Sequence, residues 1–191
     1  MNNNLQVIYG PMFSGKTTKL IDIYEEKSSK FGEKSCLAIN YALDNRYGEG
    51  QIISHDNKKI KCHSIINLLE FIKNEDTRNL IIDSSYIFIN EAQFFKNLKE
   101  SIFELTETLN KEVILCGLDL DYKKEKFGEI LDLTVMTNKV FKLTGKCHNC
   151  NLESEFTHRV IDSNEIILIG TNEYIPLCNI CYNLMNKKNK L

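Results

Sequence analysis

One segment, residues 10–17, restricts the fold of this chain more than any other. Its sequence, Gly-Pro-Met-Phe-Ser-Gly-Lys-Thr, matches the pattern Gly-x4-Gly-Lys-Ser/Thr. An apolar run at 5–9 precedes it, and apolar residues with helical spacing follow from Lys16 until Gly32. A strand, a glycine-containing turn and a helix in that order are the context in which this pattern binds nucleotide phosphates. The sequence therefore predicts a phosphate-binding loop, or P-loop, with a chance glycine-rich turn as the alternative.

The residue types of this loop suit a bound polyphosphate. Glycines let the backbone wrap around phosphates, and the N–H groups at the start of the helix point at the phosphate oxygens. Lys16 would neutralise charge on the β- and γ-phosphates, and Thr17 would offer its hydroxyl to Mg²⁺. The residues predicted to bind ATP in this loop are Gly10, Pro11, Met12, Phe13, Ser14, Gly15, Lys16 and Thr17.

Apolar runs and helical stripes alternate along the chain. Strands are predicted at 5–9, 36–39, 60–63, 86–89 and 113–116, and helices after Lys16, over 65–72 and over 98–109, with a polar loop at 44–50. This alternation predicts an α/β fold, a mainly parallel sheet flanked by helices of the P-loop (RecA-like) class. The run at 113–116 is predicted to close the series, and no strong helical period is found beyond Lys146. We place a boundary between a nucleotide-binding domain, 1–143, and a small C-terminal domain, 144–191, that contains two cysteine pairs.

The two Cys-x-x-Cys pairs near the C-terminus predict that this small domain binds zinc. Four thiolates at this spacing can close a tetrahedral Zn²⁺ site, and a complete shell of four cysteines leaves no open position for catalysis. The site is therefore predicted to be structural, holding the two ends of a loop at 151–177, and two disulfides are the alternative. The predicted ligands are Cys147, Cys150, Cys178 and Cys181, whereas Cys36, Cys62 and Cys116 are interpreted as small buried hydrophobic residues.

Composition and charge narrow the class of partner. The 191 residues are 42% hydrophobic and 26% charged, with a net charge of −2. No basic field favours nucleic acid or a membrane surface, and no apolar run approaches the roughly 18 residues of a membrane span. Residues 1–4 lead directly into the first apolar run, so no signal peptide is expected. We expect small-molecule substrates, no nucleic-acid or membrane partner, and a reducing, cytoplasmic compartment.

An acid follows the predicted strand at 86–89. A P-loop enzyme needs such a group near the phosphates, either to hold Mg²⁺ or to activate the attacking hydroxyl. Glu91 stands in that position, and the alternative is a solvated carboxylate at a strand end. Together with the upstream P-loop, the sequence favours the functional interpretation.

The P-loop and the segment Glu-Ala-Gln-Phe-Phe at 91–95 together resemble the tetrameric, zinc-containing thymidine kinases of cells and large DNA viruses. The likeness continues through 41–47, 117–119, 127–128, 142–144, the cysteine pairs and Tyr174, in order along nearly the whole chain. It implies transfer of the γ-phosphate of ATP to the 5′-hydroxyl of thymidine, for nucleotide salvage. A homotetramer and feedback inhibition by thymidine triphosphate are further expectations from the resemblance.

The resemblance also assigns roles to individual residues. Glu91 matches the general base that takes the proton of the thymidine hydroxyl. Asp44 and Arg46 match positions that hold the phosphate region, with Arg46 as a catalytic stabiliser of phosphoryl charge; a solvated loop arginine is the alternative. The loop between the cysteine pairs becomes a lasso over the nucleoside. The positions that match the thymidine pocket are Met12, Phe94, Leu118, Tyr122, Phe127, Thr157, Ile167, Leu168, Ile169, Gly170 and Tyr174, with ordinary core packing as the alternative for any one aromatic.

Two positions depart from the family pattern. Asn90 stands where the family usually has the aspartate that helps to position Mg²⁺, so Asn90 is expected to hold the ion more weakly. Ile169 occupies a position where a Gly-Gly pair is common and only Gly170 is kept, and a β-branched residue restricts the backbone there.

Two other classes of function compete with the kinase. A P-loop ATPase could use its zinc ribbon to bind nucleic acid or protein, but the net charge, the short chain and the 93–95 segment count against it. A nucleotide-binding regulator without catalysis would fit Asn90, yet Lys16, Thr17 and Glu91 are all present.

Overall fold

A computed structural model of the protein describes residues 4–43, 50–137, 139–161, 170 and 172–188. The strands are β1 Leu5–Tyr9, β2 Cys36–Tyr41, β3 Gln51–Ile53, β4 Lys59–Lys61, β5 His63–Ile65, β6 Tyr86–Ile89, β7 Glu112–Gly117, β8 Lys139–Lys142, β9 Gly145–Lys146, β10 Glu153–Ser154, β11 Phe156–Arg159 and β12 Tyr174–Leu177. The helices are α1 Lys16–Phe31, α2 Leu68–Lys73, α3 Glu75–Asp83, α4 Leu98–Phe103, α5 Ile130–Leu133 and α6 Asn179–Lys188.

The centre of the molecule is a six-stranded sheet in the order β5-β2-β6-β7-β1-β8. Every neighbouring pair in it is parallel. The carboxyl ends of all six strands therefore lie along one edge, where the P-loop after β1 and Glu91 after β6 are separated only by β7. The sheet confirms the predicted mainly parallel α/β fold.

Both faces of the sheet are buried, and alternate strand residues point to opposite faces. Val7, Ile87 and Val113 pack with α2, α3, α4 and α5. Ile8 and Phe88 pack on the other face with α1 and with the β3–β4 hairpin. Because both faces are covered, the strands show the continuous apolar runs typical of parallel sheets, rather than alternation of polar and apolar residues.

The segment before β6 differs from the prediction in detail. The strand predicted at 60–63 is two strands, β4 and β5, and the helix predicted over 65–72 begins at Leu68, where the Asn67 side chain accepts a hydrogen bond from the N–H of Glu70. Helix α3 was not predicted, because Ile81 is its one buried residue and its amphipathic pattern is correspondingly short. Its start is capped by Asn74, which accepts from the N–H of Asp76.

Two predictions about the second half of the chain were wrong. The run at 113–116 does not close the series, because β8 pairs in parallel with β1 at the edge of the sheet. Strand β8 has no residue among the buried ones, so its apolar signal is weak. A helix, α6, also lies beyond Lys146, directly after Cys178.

The predicted helix over 98–109 is confirmed: it starts as α4 and continues in a wider turn at Glu104–Thr108.

The last part of the chain forms a small module of two antiparallel strand pairs, β9–β10 and β11–β12, with α6 packed on the β11–β12 pair. Its core contains Cys147, Leu177, Cys178 and Tyr182. The predicted boundary at 143/144 falls between β8 and β9 and stays a prediction. None of the helices in the described ranges combines the length and the apolar character needed to cross a membrane.

Candidate nucleotide and nucleoside site

The P-loop connects β1 to α1 with a backbone that few sequences can adopt. Gly10 has a φ of 152°, and a Cβ there would lie 2.1 Å from the carbonyl oxygen of Leu143. Phe13 and Gly15 also have positive φ values, 62° and 80°. Helix α1 begins at Lys16, so its first N–H groups face the loop and present a favourable environment for anionic phosphates.

The lysine of the loop lies across it. Lys16 Nζ donates to the carbonyl oxygen of Pro11 at 2.6 Å and lies 3.5 Å from Ser14 Oγ. The ammonium group therefore contacts the loop that precedes its own helix.

Asn90, at the end of β6, joins the P-loop to two neighbouring strands. Asn90 Oδ1 lies 3.4 Å from Thr17 Oγ1 and accepts from Cys116 Sγ at 3.1 Å, while Asn90 Nδ2 donates to Asn40 Oδ1 at 2.9 Å. Burial raises the pKa of Cys116 to about 12, so it stays a thiol and can donate. The contact with Thr17 brings the sequence-predicted Asn90 next to the P-loop.

Sequence reasoning missed the other two members of this network. Asn40 ends the apolar part of β2, and a polar residue closing a buried strand at the carboxyl edge is a signal that could have identified it. Cys116 offered no such signal. It is buried, as the sequence predicted, and nothing in the sequence indicates that its thiol also donates a hydrogen bond.

Glu91 stands at the turn that follows β6. Its φ is 53°, and it precedes a short 3-10 helix, Ala92–Phe94. Gln93 Nε2 donates to Glu91 Oε2 at 2.6 Å. The carboxylate is therefore held at the carboxyl edge of the sheet, one residue after the asparagine that contacts Thr17.

Aromatic side chains gather next to Glu91. Phe94 stacks on Tyr41 with ring centroids 5.1 Å apart, and Phe127 meets Phe94 edge-on at 5.4 Å. The structure thus brings together two of the predicted pocket aromatics, from the turn after β6 and the segment before α5. Tyr41 was not predicted as a pocket residue, although it belongs to the 41–47 motif.

The C-terminal module touches the P-loop directly. The backbone N–H of Met12 donates to Thr157 Oγ1 at 2.9 Å, although 145 positions separate the two residues. Gly145 lies at the same junction, because a Cβ there would meet the carbonyl oxygen of Phe13 at 3.1 Å. Two predicted pocket positions, one from each part of the chain, are therefore neighbours.

Tyr122 and Tyr174 are joined by an arginine that sequence reasoning missed. The Arg159 guanidinium lies 3.7 Å from the centroid of the Tyr122 ring, and Arg159 donates to Tyr174 Oη at 2.7 Å. Arg159 is 6% exposed, so this cation–π contact is largely desolvated. Nothing in the sequence pattern around Arg159 separates it from an ordinary surface arginine.

Several predicted site residues lie outside the described residues. Of the 167–170 stretch only Gly170 is described, and it lies where a Cβ would collide with the Glu173 carboxylate. Leu118, another predicted position, is described and donates its N–H to Gln93 Oε1. The residues outside the described ranges are Asp44, Arg46, Ile167, Leu168 and Ile169.

The four cysteines of the C-terminal pairs form one cluster. The Sγ atoms of Cys147, Cys150, Cys178 and Cys181 all lie within 4.8 Å of one another, and the Cys150–Cys178 separation is 3.6 Å. A tetrahedral Zn²⁺ site with Zn–S bonds of about 2.3 Å requires sulfur–sulfur separations of about 3.8 Å. The cluster fits a structural Zn²⁺ site, and a single centre shared by all four thiols argues against two separate disulfides.

Comparisons with known proteins give a consistent result. A family model described as thymidine kinase matches residues 3–182. A thymidine kinase of Oryza sativa subsp. japonica is 35% identical over 93% of this chain and 65% of its own length, so the chain spans about two thirds of that relative. Thymidine kinase 1 of Dictyostelium discoideum is 35% identical over 94% of this chain and 77% of its own. The thymidine kinase of Vaccinia virus (strain Ankara) is 36% identical over 94% of this chain and 96% of its own.

Proposed function

Because the chain belongs to the thymidine kinase family, we propose that it transfers the γ-phosphate of ATP to the 5′-hydroxyl of thymidine. The observation that carries the proposal is the 3.4 Å contact between Thr17 Oγ1 and Asn90 Oδ1. It joins the loop that binds phosphates to the turn that bears Glu91. A phosphate donor and a base for an attacking hydroxyl can therefore meet at one edge of the sheet.

Each side chain of this edge has a chemical task in the proposal. The N–H groups of the P-loop and Lys16 bind the triphosphate and stabilise the charge that moves during transfer. Glu91 accepts the proton of the acceptor hydroxyl as its oxygen attacks the γ-phosphorus atom in line with the leaving oxygen. Thr17 and Asn90 would hold Mg²⁺, which supplies neutralisation of the β- and γ-phosphate oxygens when bound. Arg46 and Asp44 complete the phosphate region in the proposal.

The nucleoside is proposed to bind between the aromatic cluster and the C-terminal module. Phe94 and Phe127 offer the flat apolar surfaces that suit a pyrimidine ring. The Met12–Thr157 contact and the Arg159-linked tyrosines bring segments from both parts of the chain to the same place. The segment 151–177 between the cysteine pairs is proposed to cover the base.

The direct test is phosphate transfer from γ-labelled ATP in the presence and absence of thymidine. We expect label in thymidine monophosphate, and little release of inorganic phosphate without nucleoside. Rapid ATP hydrolysis with no labelled nucleotide would contradict the kinase and favour an ATPase with a zinc ribbon. Thymidine triphosphate, added at increasing concentration to the same assay, is expected to inhibit.

The Asn90→Asp variant is expected to need less Mg²⁺ than the natural protein. A carboxylate attracts the ion by charge as well as by coordination, so the concentration for half-maximal rate should fall about 3- to 10-fold. The Asn40 amide can turn to donate its Nδ2 to the new carboxylate, which keeps the hydrogen bond between β2 and β6. Initial rates over a Mg²⁺ titration measure the effect.

A matched control for this variant is Asn67→Asp. Asn67 caps α2 through its side-chain oxygen, and aspartate caps equally well, so the control adds the same charge at an exposed position without disturbing the fold. Identical Mg²⁺ curves for Asn90→Asp and the natural protein would refute the weaker-binding hypothesis.

The quaternary structure and the physiological role that we propose are those implied by the resemblance to the family. We propose a cytoplasmic homotetramer that salvages thymidine for DNA synthesis. Sedimentation of the purified chain at several concentrations tests the tetramer.

A further inference from the structure

Gln93 has no role in the chemistry above, yet it is among the most constrained side chains at the site. Gln93 is 3% exposed. Its Nε2 donates to Glu91 Oε2 at 2.6 Å, and its Oε1 accepts from the backbone N–H of Leu118 at 3.0 Å. A buried amide with both ends engaged stays in one orientation, because releasing either end leaves a polar group unsatisfied.

The direction of the amide follows from chemistry. A backbone N–H can only donate, so the atom facing Leu118 must be the carbonyl oxygen of Gln93. The NH₂ group therefore faces Glu91, and an ionised carboxylate is the partner it serves best. Leu118 directly follows β7, so Gln93 connects the Glu91 carboxylate to the rigid end of the neighbouring strand.

Two glycines let other segments approach Gln93 closely. A Cβ at Gly117 would lie 2.2 Å from the side-chain oxygen Oε1 of Gln93, and a Cβ at Gly128, where φ is 64°, would lie 2.3 Å from the backbone carbonyl oxygen of Gln93. The end of β7 therefore packs against the Gln93 side chain, and the segment before α5 packs against the Gln93 backbone. Both contacts hold the residue in place beside Glu91.

We propose that Gln93 is a positioning residue for the general base, which holds the Glu91 carboxylate in the orientation needed to receive the acceptor proton. The inference rests on the proposed function, since it presumes that Glu91 is the base. A glutamate side chain on a short turn has several rotamers, and a single hydrogen-bonded orientation removes the cost of selecting one during each reaction.

The Gln93→Glu variant separates this role from packing. The new side chain has nearly the same shape and still accepts from Leu118 N–H, but it places a second carboxyl group against Glu91. The two groups then share a proton, so the acid limb of the pH–rate profile should move to higher pH by about 1 to 2 units. Activity lost at neutral pH should partly return above the new limb.

The Gln93→Glu variant and the natural protein have the same other charged groups around this part of the site. Burial raises the pKa of the Cys116 thiol, the charge of Glu91 raises it further, and the charge of Lys16 on the P-loop lowers it. Asp119, which is buried, lies one residue beyond Leu118 on the segment after β7. A shift of the acid limb in the variant therefore reports the added carboxyl group.

The chain contains a matched control for this change. Gln6 Nε2 donates to Glu112 Oε1 at 3.1 Å, a second glutamine–glutamate pair. Gln6 lies near the amino end of β1, at the side of the sheet opposite the P-loop. Gln6→Glu makes the same chemical change, and we expect its kcat and pH–rate profile to match those of the natural protein.

A second variant, Gln93→Met, removes the donor without adding charge. We expect kcat to fall about 10- to 100-fold, the loss typical of a hydrogen bond to a charged group, with KM for ATP unchanged. Thermal unfolding of each variant checks that it is folded. Titration of the Glu91 carboxyl carbon by ¹³C NMR, assigned with Glu91→Gln, should show a higher pKa in Gln93→Met than in the natural protein.

The outcomes distinguish this inference from the proposed function. If Glu91→Gln keeps full transfer activity, the base assignment fails, and the NMR titration alone decides whether Gln93 governs the Glu91 carboxylate. If Glu91→Gln is inactive but both Gln93 variants keep the natural kcat, pH–rate profile and Glu91 titration, the inference about Gln93 is overturned.

Discussion

Glu91→Gln is expected to lower kcat for thymidine phosphorylation by about 10²- to 10⁴-fold, the usual contribution of a general base. Glutamine has nearly the same size, so the turn after β6 keeps its shape, but its amide cannot take a proton from the acceptor hydroxyl. In the proposal the P-loop N–H groups and Lys16 bind ATP, so KM for ATP should remain close to the natural value. Single-turnover transfer of labelled phosphate measures the chemical step directly.

A fold control for this variant is Glu26→Gln. Glu26 is exposed on α1, ten residues after Lys16, and loses the same charge. The control should retain natural kinetics. Natural transfer rates in Glu91→Gln would show that another group accepts the proton, or that transfer proceeds without a base at this position.

Cys178→Ser is expected to remove most of the bound zinc and most of the transfer activity. Cys178 is 7% exposed and packs with Leu177 and Tyr182 in the core of the C-terminal module. The binding free energy of a structural Zn²⁺ site, on the order of 10 kcal/mol, is in effect folding free energy, so a module this small should lose its order with the metal. Thr157, which accepts a hydrogen bond from Met12 N–H, lies in the same module. Loss of order in the module should therefore also disturb the proposed nucleoside pocket.

The measurements for Cys178→Ser are zinc content per chain, transfer activity, and ATP binding by calorimetry. The P-loop belongs to the central sheet, so ATP binding is expected to survive where thymidine transfer does not. Cys62→Ser is the control, because Cys62 packs at the edge of the core on the α1 face, outside the cysteine cluster. A zinc-free Cys178→Ser protein with natural activity would rule out the structural role of the metal in forming the pocket.

Local signals in the sequence were enough for the parts of the site that depend on neighbouring residues. The P-loop pattern requires positions close together in the chain, and the structure has β1, the loop and α1 with the expected bounds. The two Cys-x-x-Cys pairs have ligand spacing that is local within each pair, and the four thiols meet as predicted. Strand β6 was predicted at its observed bounds, since a buried parallel strand is a short continuous apolar run.

Weak local signals explain the elements that were missed. Strand β8 is half-exposed at the edge of the sheet, and its existence depends on pairing with β1, more than 130 residues earlier. Helix α6 packs its few apolar residues on a small module, so its period is short. In both cases tertiary contacts, rather than local pattern, stabilise the element.

The sequence by itself determined the fold class, the P-loop and the four-cysteine cluster, because each depends on residue types at fixed short separations. Only the tertiary structure decided which polar groups meet across strands. The Asn40–Asn90–Cys116 network and the Gln93 bridge from Glu91 to Leu118 join strands whose order is not contiguous in the chain. Hydrogen bonds of this kind depend on distances of a few tenths of an ångström, which strand order, register and side-chain packing set together.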